Sequence, residues 1–387
     1  MKTDKLLILV IFAAALVGIG AVGMLGSPRN APMQPPSLLA APAPVEQMRG
    51  FCLQFDNAQN VEFYHKSIDE IAATGANTIC ISVAGYQEHG GSTSIFIDSR
   101  KVPSDRDLGE LLQHAHRKGL RVVFMPIVLL ENPRKQEWRG QINPVNWKDW
   151  WEDYTNFVMH FVWTAQSNNV EIFSVGSELI STEDQTDQWR KLIAKVRKHF
   201  SGRLSYSANW DHYTVPKFWD DLDVVGMTTY YDLTEGAEPT LDRLMQGWIP
   251  IKKDILSWQA KVNKPIIFTE VGWPNQATCA QYPWDYYRSP DKPAPLVQAD
   301  CFEAFFRTWG KETAVSGILV WEWKNHPDQE IGPRDTSYVP CGKPAMNVIQ
   351  KYFTAANGHK LATSRPASGS APAGVVAPEV QTPSLPR

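Results

Sequence analysis

Eight short apolar runs, dense in β-branched residues, recur along the middle of the chain. They lie at 50–55, 76–83, 120–126, 170–176, 203–208, 223–229, 265–269 and 315–321. Each is near-continuous in hydrophobicity rather than alternating, which is the pattern of parallel strands covered on both faces. Helical periodicity fills the intervals. The spacing predicts helices over 61–74, 105–118, 186–199, 298–309 and 345–353, and one over 241–259 broken or kinked near Pro250. Trp147, Trp150, Trp151, Tyr154, Phe157, Val158, Phe161 and Val162 mark a further apolar stripe at helical spacing, so the tryptophans there are read as helix–barrel packing. Gly119 closes the second helix as a natural C′ residue. A strand–helix unit repeated eight times over about 300 residues is the signature of an α/β fold of the (β/α)8 TIM-barrel class. A doubly wound open sheet needs a glycine-rich turn after its first strand. Here the first strand runs into 54–60, which contains no glycine.

The ends of the 387-residue chain do not share this pattern. Residues 6–26 form an uncharged, mostly apolar run preceded by Lys2 and Lys5. Its length suits a spanning helix better than a signal-peptide core. The expectation is a membrane anchor or signal segment over 1–26. The anchor form places the domain on the periplasmic or exterior side; the cleaved form secretes it. Residues 27–47 are a Pro- and Ala-rich linker, and 354–387 an Ala-, Pro- and Ser-rich tail expected to be disordered. The folded unit is therefore read as one barrel over 48–353, expected as a monomer.

Charge excludes one class of partner. Lys and Arg total 38 against 41 Asp and Glu, a net charge of −3, so no basic field is available to hold a nucleic acid. Of the five cysteines, Cys52 and Cys80 fall in strands and read as buried thiols. Export would permit one disulfide among Cys279, Cys301 and Cys341, and the odd total leaves a thiol over.

In a barrel the chemistry gathers where strands end. The fourth run ends Val175-Gly176-Ser177-Glu178 and the seventh Phe268-Thr269-Glu270-Val271-Gly272-Trp273. One strand-end glutamate is commonly a salt-bridge or capping group. Two of them, with aromatics after several strands, fit glycoside hydrolysis. There one carboxylic acid protonates the leaving oxygen while a second carboxylate attacks the anomeric carbon or activates water. Asn209 and Trp210 follow the fifth strand, Tyr230 the sixth, and Trp321, Glu322 and Trp323 the eighth. Indole faces stack on sugar rings, and Asn and Tyr serve their hydroxyls. Fifteen tryptophans in the chain are enough for both a core and such a groove. Other chemistries lack their residues. His114 and His116 lie two apart on a helix and face different ways. Ser177 has no second glycine to make a nucleophile elbow. No phosphate loop or zinc-protease motif is present, and no cofactor is implied.

These segments resemble the retaining glycoside hydrolases of clan A, most closely the family 113 mannanase-like barrels. The resemblance rests on Ser174-Val175-Gly176-Ser177-Glu178-Leu179, on Phe268-Thr269-Glu270-Val271-Gly272-Trp273 and on the closing Gly342-Lys343-Pro344-Ala345. It implies a β-linked glycan, β-mannan among the candidates, hydrolysed with net retention and no metal. It makes Glu178 the acid/base and Glu270 the nucleophile. Tyr230 would support Glu270, and Trp323 would stack under the sugar at the cleavage point. Trp273 and Trp321 are further candidates for the groove. Many clan members carry Asn just before the acid/base, where its amide holds a sugar hydroxyl; Ser177 stands there in this chain. The rival reading is a non-catalytic carbohydrate-binding barrel at the cell surface, which would keep the aromatic groove without needing both carboxylates. The loops 131–146, 275–295 and 325–340 are the segments that would close one end of the groove.

Overall fold

Alternation along the strands decides the architecture. In β1 (Met48–Phe55), Phe51, Leu53 and Phe55 join one buried cluster while Met48 and Cys52 join another. The same division recurs in β2 (Thr78–Gln87), with Ile79, Ile81 and Val83 against Cys80 and Ala84, and in β4 (Arg121–Leu130), with Val122 and Phe124 against Val123 and Met125. One set faces a layer of helices and the other faces inward, as the period of two requires. The computed structural model describes residues 47–285 and 292–363. It shows β1, β2, β4, β5 (Ile172–Ser177), β6 (Arg203–Ala208), β7 (Val224–Thr228), β8 (Ile266–Val271) and β9 (Val315–Val320) paired in parallel, with β1 bonded to both β2 and β9. That ring is a closed eight-stranded barrel. Around it lie α1 (Val61–Ala73), α2 (Asp105–Arg117), α3 (Trp147–Ser167), α4 (Thr186–Arg197), α5 (Leu241–Val262), α6 (Pro295–Trp309) and α7 (Pro344–Thr363).

The helices start where side chains can satisfy their first N–H groups. Ser104 accepts from Asp107 at the head of α2, Asn146 from Lys148 and Asp149 at α3, and Thr240 from Arg243 at α5. Gly119, at φ +79°, ends α2 as expected. The layer between helices and barrel is rich in aromatic rings. Trp309 of α6 is fully buried and meets Phe268 of β8 edge-on at 4.9 Å and Trp248 of α5 at 6.1 Å. Trp309→Ala is expected to cost about 3–5 kcal/mol, read as a fall in the urea midpoint with the slope unchanged.

Three features depart from the sequence reading. Strands β2 and β4 run four residues further than expected and rise together above the ring, and Ile95–Phe96 (β3) adds antiparallel to β2 there. Pairing of β4 to β5 stops at Phe124↔Phe173, just before Pro126, which has no N–H to give, while pairing to β2 continues to Leu130. Second, α5 passes through Pro250 unbroken, because that residue lies on the solvent face, where the carbonyl it leaves unbonded meets water. Third, α7 continues to Thr363; the next proline is Pro366.

The expected membrane anchor is corrected. No helix among the described residues is long and apolar enough to cross a membrane. The longest, α3 and α5, carry charged residues along their outer faces. The run 6–26, the linker over 27–46 and the tail from 364 lie outside the described residues. The transmembrane and signal assignments, the membrane partner and the membrane-anchored location that followed from 6–26 are therefore withdrawn. All five cysteines are buried free thiols.

Candidate active site

Glu178 follows β5 at the rim of the barrel, and irregular pairing brings it there. Ser174 pairs with Ser205, yet Ser177 pairs with Ser207, so β5 carries one residue more than β6 over this stretch. Such a bulge turns the chain and re-aims a side chain. Gly176 is required within it. A Cβ at 176 would sit 2.7 Å from the Tyr154 hydroxyl and 2.8 Å from the Trp189 ring, so a larger residue would push β5 off α3 and α4. Glu178 itself has φ +53°, in the left-handed region that a residue with a Cβ enters at a cost of about 1 kcal/mol or more. Two bonds to β6 hold it. Its N–H donates to the Ser207 carbonyl at 2.8 Å, and the Leu179 N–H donates to the Tyr206 hydroxyl at 3.0 Å.

Glu270 is placed by a second bulge. Met227 pairs with Phe268 and Thr228 with Glu270, which leaves Thr269 as the extra residue on β8. Thr269 turns inward and shares a 2.6 Å hydrogen bond with Ser207. The Tyr230 hydroxyl donates to Glu270 Oε2 at 2.8 Å. Burial and the charge of Glu270 hold the Tyr230 phenol well above its ordinary value, so it remains a neutral donor. After Glu270 the chain passes through Gly272, where a Cβ would lie 2.2 Å from the Trp321 carbonyl. Only glycine lets the ends of β8 and β9 come that close.

The two carboxylates share a cation. Arg139, on the single turn Arg139–Gln141 beyond β4, places Nη2 2.6 Å from Glu178 Oε2 and 3.9 Å from Glu270 Oε1. One nitrogen bridges both, so those oxygens are within about 6.5 Å, the two distances laid end to end. Glu178 is 6% exposed and Glu270 3%. Burial first, then the charge of Glu178, raises the Glu270 carboxyl to about 7; Arg139 and the Tyr230 hydroxyl pull the other way. Glu322, just beyond β9, is raised to about 8 by burial and then by the charges of Glu270, Asp56 and Asp335.

Ser177 is buried beside Glu178, and its Oγ has no hydrogen-bond partner among the described residues. Trp210 and Asn209 lie at the end of β6: the Trp210 N–H donates to Thr228 Oγ1 at 3.0 Å and Asn209 Nδ2 to Asp211 at 2.6 Å. The Trp210 ring stacks on Trp284 at 5.7 Å. Trp321 caps the inward-facing cluster over Leu319. Trp273 and Trp323 lie in the core. Trp273 is fully buried with its ring on Phe302 at 5.2 Å, and Trp323 packs on Phe51 at 5.0 Å. Both belong to the layer between barrel and helices, because the chain turns after each strand end and sends these rings outward. Among the described residues no group of three or more His, Cys, Asp and Glu is placed to hold a metal ion.

Sequence reasoning missed Arg139, Trp284 and Glu183. Arg139 and Trp284 sit in loops that were read as closing segments, and only the path of those loops brings them in. Glu183, fully buried five residues after Glu178, looks in sequence like an ordinary charged turn residue.

A family model for Glycoside Hydrolase Family 113 matches residues 56–343. Solved structures also resemble the chain. The GH113 β-mannanase AaManA from Alicyclobacillus acidocaldarius, in complex with ManMIm, is 28% identical with a TM-score of 0.70, over 80% of this chain and 98% of that one. A GH113 β-1,4-mannanase is 27% identical with a TM-score of 0.69, over 80% and 99%. A β-glucuronidase from Ruminococcus gnavus, 13% identical with a TM-score of 0.55 over 79% of this chain and 50% of that one, shares the fold. No curated protein sequence matches.

Proposed function

The chain belongs to glycoside hydrolase family 113, retaining enzymes that act on β-linked glycans, and from that premise we propose that it cleaves a β-mannan using Glu178 and Glu270. The observation that carries the pair is the single Arg139 nitrogen lying within 4 Å of both carboxylates. An oxygen separation of at most about 6.5 Å accommodates the ~5–5.5 Å of retaining enzymes and reaches only the lower edge of the ~6.5–9.5 Å of inverting ones. The mannan assignment is supported by the two mannanases at 27% and 28% identity.

In the first step Glu270 attacks C1 of the sugar. The C1–oxygen bond to the leaving group breaks as the Glu178 proton passes to that oxygen. In the second step Glu178 takes a proton from water, the new C1–oxygen bond forms, and Glu270 leaves as a carboxylate. Tyr230 keeps one Glu270 oxygen fixed and leaves the other, Oε1, for C1. Ser177 Oγ, buried and unbonded, is a donor for a hydroxyl of the sugar being cleaved. Trp321, rather than Trp323, supplies the apolar floor.

The test is product release by the full chain from β-mannan, β-glucan and xylan, with oligosaccharide lengths recorded. Release from mannan at more than tenfold the rate on the others supports the substrate; preference for another polymer overturns it. Tyr230→Phe is expected to lower kcat roughly tenfold to a hundredfold, with KM nearly unchanged, because the phenol bond orients Glu270 rather than the substrate.

A further inference from the structure

Behind Glu178 lies a second buried carboxyl that the two-step chemistry does not use. Glu183 follows the short turn Ile180–Thr182 and its side chain is fully buried. Its Oε1 accepts from the Tyr206 hydroxyl at 2.8 Å. That hydroxyl also accepts the Leu179 N–H at 3.0 Å, so its single proton has to point at Glu183. Glu183 Oε2 lies 3.6 Å from His212 Nδ1, and neither atom has a hydrogen-bond partner among the described residues. A buried carboxyl with one hydrogen bond and, among the described residues, no Lys or Arg paired with it is a poor structural device, since a neutral amide would accept the same phenol bond without a charge to desolvate.

Taking Glu178 as the acid/base, we propose that Glu183 is a positioning residue for it, acting through Tyr206 on the left-handed peptide and through its own charge on the Glu178 proton. The mechanical part follows from the hydrogen bonds. Glu183 orients Tyr206, Tyr206 fixes the N–H of Leu179, and that peptide holds Glu178 at φ +53°. The electrostatic part follows from placement. Charged Glu183 and charged Glu178 repel each other across this buried space. Burial, then the charges of Asp211 and Glu178, raise Glu183 to about 7 against the pull of Tyr206, so its charge changes near neutrality. The groups that face it are Tyr206 from β6, Asp211 and His212 from the loop after β6, and Glu178 from the end of β5. Arg139 stands beyond Glu178, and α3 and α4 contribute the neutral Tyr154 and the rings of Trp151 and Trp189 behind Tyr206.

The experiment compares two aryl glycosides of the sugar released from the polymer. A dinitrophenyl leaving group departs without a proton; a phenyl one needs Glu178. In the full chain, Glu183→Gln is expected to lower kcat/KM on the phenyl glycoside about tenfold at pH 8 and on the dinitrophenyl glycoside less than threefold. The alkaline limb of the phenyl profile moves to lower pH, and Tyr206→Phe reproduces the loss on the phenyl substrate. A residue that only holds the fold would depress both substrates alike and leave the limb in place, and that result overturns the proposal. So does loss of folding in both variants. Glu178→Gln runs alongside. If it too shows no dependence on the leaving group, the reading of Glu178 falls and this proposal with it; if it shows the dependence and Glu183→Gln does not, the proposal alone falls.

Discussion

Glu270→Ala is expected to lose turnover on glycan by a factor on the order of 10⁴ or more while still binding oligosaccharide. The substitution removes the carboxylate proposed to attack C1 and leaves a cavity beside Tyr230. Azide is small enough to enter that cavity, so with a dinitrophenyl β-glycoside the variant should yield the α-glycosyl azide. Residual activity within tenfold of the parent would remove Glu270 as the nucleophile. The same residue has a signature in stability. Its folded-state value, about 7, lies above the ordinary 4.5, so the folded chain binds this proton more tightly than the unfolded one. Between those two values the folded state holds the extra proton, and stability falls as pH rises through the window. Glu270→Gln, which has no charge to bury, should therefore be more stable than the parent by about 1–3 kcal/mol at pH 8 and no more stable at pH 4. Urea titrations at the two pH values decide it.

Glu178→Gln is expected to fail in a different way. Polymer and phenyl-glycoside cleavage should drop by about 10²–10⁴, the range of positioned acid–base groups. A dinitrophenyl glycoside should still react once, because its leaving group needs no proton. The second step then stalls for want of a base. Intact mass spectrometry of the variant mixed with that substrate should show the chain heavier by one sugar residue, with the label on Glu270. An unlabelled protein with full loss of the first step would take the acid/base role from Glu178.

The barrel was legible because its signal is repeated. Eight apolar runs, seven of them followed by a helical stripe, admit few other folds, and the ring of parallel pairs agrees with them. The placement of the two glutamates at strand ends was legible for a related reason, since a carboxylate at the end of a core strand has to be solvated or partnered. Rings were harder to place. Trp321 and Trp323 differ by two residues, yet one joins the inward cluster and the other packs on Phe51 in the outer layer. Composition cannot separate them, because the direction depends on where the chain turns after β9. Arg139 and Glu183 carry no local pattern at all. They come to the carboxylates through loop path and through one tyrosine, which are properties of packing. The rise of β2 and β4 above the ring was hidden by Pro126, which reads as a strand end and is tolerated inside a strand paired beyond it on one side.

The closure of the ring brings the two ends of the described domain together. The Arg49 guanidinium donates to the Tyr352 and Gly310 carbonyls, and Phe51 meets Phe353 at 5.5 Å. Arg49 lies at the N-terminal end of its strand, on the face opposite the two glutamates, and α7 runs back to that same face. Among the described residues, the start of the first strand and the packed part of the last helix thus share the back of the barrel, the face away from the two carboxylates.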